Sequence, residues 1–182
     1  MEGNPEQQVG SGPEEGERLR INGIVIPADE ELGVRQDQLG ASNLPDYQRV
    51  VGGLIEHLAL ENPASGMYFN EEGKLRDLPL NRRATLLMWM HNPAFRYEDF
   101  VTGDALLVGP VDPNGYDTNA PDDFAQMLFE ARRFRAEVET YGEAGWHGNE
   151  RRFDNWVDAY SYVLDLGRRW TSVRDVRVVP EA

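Results

Sequence analysis

The chain has 182 residues and a formal charge of −14, with no cysteine and 40% hydrophobic residues. Such a length suits one medium domain or two small ones, and the missing thiols exclude disulfides, thiolate metal sites and cysteine nucleophiles together. The charge repels phosphate backbones and anionic lipid, so direct nucleic-acid binding is disfavoured, and no stretch approaches the roughly 18 consecutive apolar residues of a membrane helix.

Residues 1–17 hold five Glu and no Lys or Arg. With their Gly, Pro and Gln content they read as a disordered acidic tail, without the basic segment and apolar run of a secretory signal. A first strand is expected from Leu19 to Pro27, with Asn22 and Gly23 as a turn or bulge inside it. The Asp-, Glu-, Gly- and Gln-rich stretch that follows reads as a loop up to Asn43. Asn43 and Pro45 then mark a helix start, and Gly52 and Gly53 its end. LIEHLAL reads as a strand, turned by Asn62, Pro63, Ser65 and Gly66 into a second strand, MYFN. Glu71, Glu72 and Gly73 are expected to form a tight hairpin turn. Asn81 caps a second helix, RRATLLMWMHN, which Asn92 and Pro93 terminate. DALLVGPV, apolar throughout, reads as a buried strand.

Residues 112–121, DPNGYDTNAP, form the densest turn cluster in the chain and are the natural hinge between two units. Asp112, Asn114, Asp117 and Asp123 fail as a calcium loop, because Tyr116 and Asp117 occupy positions that need an oxygen ligand and a glycine. Beyond the hinge, Pro121, Asp122 and Asp123 open a short helix through Phe124, Met127, Leu128 and Ala131. In FRAEVETY, Phe134, Ala136 and Val138 alternate with Arg135, Glu137 and Glu139, which assigns the first set to a core and the second to water. A hairpin through GEAGWHGNERRF returns to Asn155, the cap of a helix whose Trp156, Ala159, Tyr160, Val163, Leu164 and Trp170 form one apolar stripe. VRDVRVV is a final strand. The expected fold is therefore α+β, two small units each with a small, mostly antiparallel sheet and helices packed on it. The divisions are an acidic tail at 1–17, an N-terminal domain at 18–112, and a helix plus ββαβ module at 113–182.

Over residues 45 to 112, VVGGLIEHLAL, MYFNEEGKLRDLPLNRRATLLMW and VTGDALLVG together resemble an uncharacterised domain family of actinobacteria, their phages and plasmids. The C-terminal stretch FRAEVETYGEAGWHGNERRFDNWVDAYSYVLDLGRRWTSVRDVRVV is similar to a small module of phage and mobile-element proteins. These resemblances imply an origin in a mobile element or its host, hence a place in the cytoplasm of a bacterial cell, and supply no catalytic residue.

Chemistry is then argued from residue types. His57, His91 and His147 lack the spacing of a helix-borne metal site and read as surface or hairpin histidines; no metal and no cofactor is expected. Glycine-rich phosphate loops and a nucleophile elbow are absent from the sequence. Asn81, Arg82 and Arg83 place two cations at a helix N-terminus, against the macrodipole. Either Glu71, Glu72 or Asp77 neutralises them, or they form a site for an anion such as a nucleotide phosphate. Trp146, His147, Arg151 and Arg152 interleave aromatic and basic groups on one hairpin, a second candidate contact surface, with packing of Trp146 onto the sheet as the other reading. The leading functional expectation is a non-enzymatic accessory protein of a phage or mobile element, whose acidic surface contacts a protein partner with a basic patch, including as a DNA mimic that inhibits a host or defence enzyme. A small anionic ligand binder using Arg82 and Arg83, and an enzyme with a dispersed site, are the alternatives.

Overall fold

The computed structural model describes residues 19–181, so the acidic-tail reading of residues 1–17 lies outside the described residues. The chain forms two antiparallel sheets, of five and three strands, with helices packed on both, an α+β architecture in two units. In the large sheet, β1 (Arg20–Ile26) pairs with β2 (Arg35–Gly40) on one side and β5 (Ala105–Val108) on the other. β4 (Ser65–Asn70) follows β5, and β3 (Ile55–Leu60) closes the far edge.

Two expectations about this sheet are corrected. β1 runs unbroken through Asn22 and Gly23, which pair with Gln38 and Asp37. Gly23 serves close packing instead of a turn: a Cβ there would lie 2.8 Å from Leu106 Cδ1, inside van der Waals contact. β2 replaces the expected loop. RQDQLG shows no apolar alternation because β2 is an edge strand whose Leu39 and Gly40 alone are buried, and polar, charged residues are what keep an edge from pairing with other chains.

Helix α1 (Leu44–Val51) lies on one face of this sheet. Asn43 Oδ1 accepts from the Asp46 amide at 2.9 Å, and Gly52 ends the helix at φ 73°, the left-handed conformation that glycine adopts without strain. Its Tyr47 joins Ile21, Val25, Leu39, Leu106 and Val108 in a small core, with Val50 packed against it. On the other face sits α2 (Arg82–His91), capped by Asn81 and ended by Asn92. Glu71–Gly73 do not close a hairpin. They open a looped approach to α2, in which the Leu78 amide donates to Gly73 O at 2.9 Å and Leu80 bridges Thr102.

The small sheet orders β7 (Trp146–Phe153), β6 (Arg133–Thr140) and β8 (Val173–Glu181). Before it, Pro121 leads into α3 (Asp122–Ala125), which widens into a π turn over Gln126–Glu130 and buries Phe124 and Met127. Helix α4 (Trp156–Arg169) starts at the Asn155 cap, crosses the small sheet and meets α2. Phe134, Ala136 and Val138 are buried as the alternation requires. Glu137, assigned to water, is also buried: Arg135 and Arg177 lie 2.7 and 2.6 Å from its carboxylate, and Arg177 is its neighbour in the β6–β8 register. One hydrophobic cluster runs from Ile24 and Met67 through Leu87 and Phe124 to Tyr160 and Val176, so both sheets share a core.

The α4 stripe is buried from Trp156 to Leu164, but Trp170 is 46% exposed. The helix ends at Arg169, so the periodicity that would have carried Trp170 inward stops one residue too soon. Trp170→Ala should accordingly change stability by no more than about 0.5 kcal/mol in urea unfolding; a loss of about 3 kcal/mol would mean that the indole packs as a core residue.

The turn-rich stretch 112–121 is tied down and does not hang as a loose hinge. Thr118 O accepts from the Gly109 amide at 2.9 Å, the Ala120 amide donates to Asn22 O at 2.8 Å, and Asn119 Oδ1 accepts from the Asn22 amide at 2.8 Å. Asp117, in its middle, is buried. Among the described residues no helix is long and apolar enough to cross a membrane.

Candidate functional site

Asn81, Arg82 and Arg83 do not converge. Asn81 is fully buried: Oδ1 accepts from the Ala84 amide at 3.0 Å, and Nδ2 donates to Ile26 O and Gly103 O at 2.8 and 2.9 Å. Arg83 turns back towards the end of β1, where its guanidinium donates to Pro27 O, Asp29 O and Leu32 O at 2.6, 2.8 and 2.9 Å. Three backbone carbonyls thus solvate the cation, in place of an ion pair with Glu71, Glu72 or Asp77, and the same bonds clamp the loop between β1 and β2. A helical side chain leans towards the N-terminus of its helix, which is what brings Arg83 to that loop. Arg82 faces the other way and donates to Ser161 Oγ on α4 at 3.1 Å.

The second candidate group also divides. Trp146 is the register neighbour of Glu139, on the face away from α4, while His147 is the neighbour of Val138, on the face towards it. Arg177 covers the Trp146 ring at 4.3 Å, Arg152 pairs with Glu181 at 2.7 Å, and Arg151 stacks on Tyr162 at 4.6 Å. His147 stands 3.8 Å from Glu143. The period of two in a strand sends adjacent residues to opposite faces, so neither Trp146 and His147 nor Arg151 and Arg152 can share one surface.

A cleft of about 580 Å³ lies where the two sheets meet. The β3–β4 turn brings Glu61 and Asn62, the end of α2 brings His91, α3 brings Asp123 and Phe124, β7 brings Trp146, and β8 brings Asp175 and Arg177. The Arg177 charge is spent on Glu137. Asp175 stands 3.7 Å from Arg96, whereas Glu61 and Asp123, both exposed, have no ion-pair partner among the described residues. The mouth is therefore acidic over an aromatic floor.

His91, expected at the surface, is 8% exposed beneath this cleft. Its Nδ1 lies 3.1 and 3.0 Å from Glu61 O and Asn62 O, and its Nε2 lies 2.8 Å from the Tyr160 hydroxyl. Two carbonyls can only accept, so Nδ1 carries the proton and Nε2 accepts from Tyr160. Burial lowers the His91 pKa to about 4 and raises that of the Tyr160 phenol, because a low dielectric disfavours the charged form of each. Both imidazole nitrogens are thus occupied within the protein. His91 acts as a clamp between the β3–β4 turn, α2 and α4, and the hydroxyl that lines the cleft beside it, that of Tyr160, is engaged in this clamp.

Another buried polar cluster supports the opposite face of the large sheet. Asp117 Oδ2 accepts from Tyr47 OH at 2.9 Å and from Tyr68 OH and Ser42 Oγ, each at 3.1 Å. Burial, followed by the Asp117 charge, pushes both phenols up, so they remain donors. Among the described residues no group of three or more His, Asp or Glu could hold a metal ion.

Sequence reasoning missed the cleft because Glu61, Asp123 and Asp175 come from three distant segments. The one local signal is the acidity of Asp122 and Asp123 at the start of α3, which helix-dipole complementarity already accounts for. No curated protein and no solved structure matches this chain. Residues 21–133, from β1 to the first residue of β6, match the family model described as Domain of unknown function (DUF3846), and the chain belongs to that family.

Proposed function

We propose that this is a non-enzymatic binding protein that takes a basic segment of another protein into the acidic cleft between its sheets. The observation that carries this reading is the pair of exposed carboxylates, Glu61 and Asp123, without cationic partners at the mouth of a cleft floored by Phe124 and Trp146. An arginine or lysine entering there gains counter-ions at the mouth, beside a Trp146 ring that already stacks one guanidinium, that of Arg177. The chain's charge of −14 adds long-range steering of a basic partner. In an accessory protein of a phage or mobile element, the basic segment belongs to the nucleic-acid surface of a host or defence enzyme, and the acidic protein occupies it as DNA would.

Labelled oligoarginine, titrated by fluorescence anisotropy, tests the reading. Binding should weaken steeply with salt, as the screening length falls from about 10 Å at 0.1 M to about 3 Å at 1 M. The double variant Glu61→Gln, Asp123→Asn should bind at least about fivefold more weakly, since it removes two charge-assisted contacts. Glu71→Gln with Glu72→Gln removes the same charge from the loop after β4 and should bind like the parent. Salt-insensitive binding, or equal losses in the two double variants, would sink the proposal.

A further inference from the structure

A second concave surface, independent of the acidic cleft, lies where α2 and α4 pack side by side. It is a groove of about 660 Å³ with Leu86 and Leu164 at its floor and Leu80, Trp89, Tyr97 and Phe100 as walls. Leu80 is 56% and Phe100 45% exposed, and apolar groups gathered at one groove mark an interaction site where isolated ones do not. The walls are set in advance. Trp89 Nε1 donates to Asp99 O at 2.6 Å, its ring lies 5.2 Å from that of Tyr97, and the Tyr97 hydroxyl donates to Leu164 O. Tyr97 is held there at φ 66°, a conformation that a tyrosine adopts only where its surroundings impose it.

The rim is cationic in a chain whose net charge is −14. Arg82 stands on the α2 side, with one nitrogen on Ser161, and Arg168 on the α4 side. Asp165 is the carboxylate between them, shared by Arg168 at 3.8 Å and Arg169 at 2.5 Å. Arg82 and Arg168 thus face the groove with Asp165 as its one carboxylate, and that carboxylate already has Arg169 outside the groove as a second partner, which leaves the rim net cationic and complementary to acid. The two helices that flank the groove have satisfied their own backbones and present no free strand edge. A segment buried against them must carry its main-chain hydrogen bonds internally, which selects a helix over an extended peptide. From Arg82 to Trp89 the α2 wall runs about 10 Å, two helical turns.

We propose that this groove docks an amphipathic acidic helix of a partner protein, its apolar stripe on Leu80, Trp89 and Phe100 and its carboxylates on Arg82 and Arg168. The probe is a capped, fluorescein-labelled synthetic helix of about 18 residues with Leu at i, i+3, i+4 and i+7 and Glu on the flanks, beside a twin with Gln for every Glu. Gln removes the charge without adding an attraction for the acidic cleft. At 0.15 M salt the Glu helix should bind at least fivefold more tightly than its Gln twin. Leu80→Asp should abolish binding, and its circular dichroism should match the parent because the side chain is exposed. Arg82→Glu with Arg168→Glu should bring the Glu helix down to or below the affinity of the Gln twin. Equal binding of the two helices, no binding of either, or binding that survives Leu80→Asp overturns the proposal. Tighter binding of dodecanoate than of the Glu helix would assign the groove to a small amphiphile. A dimer in sedimentation velocity that Leu80→Asp disperses would assign it to a second copy of the chain; both results overturn the proposal too.

Discussion

Asp117→Ala is expected to cost about 4 kcal/mol of folding stability, measured by urea unfolding at pH 7. Asp117 is 2% exposed and its carboxylate has no ion-pair partner among the described residues; its compensation is the set of hydroxyls of Tyr47, Tyr68 and Ser42. Hydrogen bonds to an ionised acceptor contribute about 1.5–3 kcal/mol each, and deleting the acceptor strands three donors at once. Against that loss stands the relief of one desolvated charge, which keeps the net below the sum of the bonds. Tyr47→Phe removes one of the three donors to Asp117 together with the acceptor of the Ser42 amide, and should cost about 2 kcal/mol. The larger change should also free the 112–121 stretch, since the Asp117 amide is itself bonded to Ser42 Oγ at 2.9 Å. Limited proteolysis should then cleave within 112–121 in Asp117→Ala and spare it in the parent. A cost below about 1 kcal/mol would mean that water replaces the carboxylate and that the cluster does not hold α1 and this stretch together.

The elements that sequence made legible are those whose ends carry their own chemistry. Asn43, Asn81 and Asn155 each accept from the amide three residues on, and a capping side chain acts within one turn, so its signal stays local. The β6 alternation was legible for the same reason. What failed was decided across the chain. β2 is a strand because β1 lies beside it, Gly23 is a glycine because Leu106 comes close, and Glu137 is buried because a neighbouring strand supplies Arg177. The candidate sites followed the same division. Asn81 to Arg83 stood out as a local contradiction of the helix dipole, and the contradiction was real. Its resolution by the carbonyls of Pro27, Asp29 and Leu32 had no signature, since every residue type carries a carbonyl. The cleft and the groove are assembled wholly from tertiary neighbours.

His91 should make stability fall as pH drops from about 6.5 towards 4, by about 2.5 kcal/mol between pH 7 and pH 4.5. Burial holds its folded pKa at about 4, against about 6.5 in an unfolded chain. Between those values the unfolded state binds a proton that the folded state refuses, so acid favours unfolding; above the unfolded pKa the contribution is complete and constant. Carboxylates that lose their charge in the same range contribute as well, and His91→Gln separates the two. Glutamine keeps a donor for the Glu61 and Asn62 carbonyls and an acceptor for Tyr160, while it cannot titrate. The variant should be somewhat less stable at pH 7 and lose about 2.5 kcal/mol less on going to pH 4.5. Parallel pH profiles for the two proteins would show that His91 takes up its proton within the fold, which requires a water path or a rotated ring. The distinction bears on the cleft above it. A neutral His91 leaves the charges of Glu61 and Asp123 undiminished throughout the pH range in which a basic segment would be bound, whereas a protonated ring would offset one of them directly beneath the mouth.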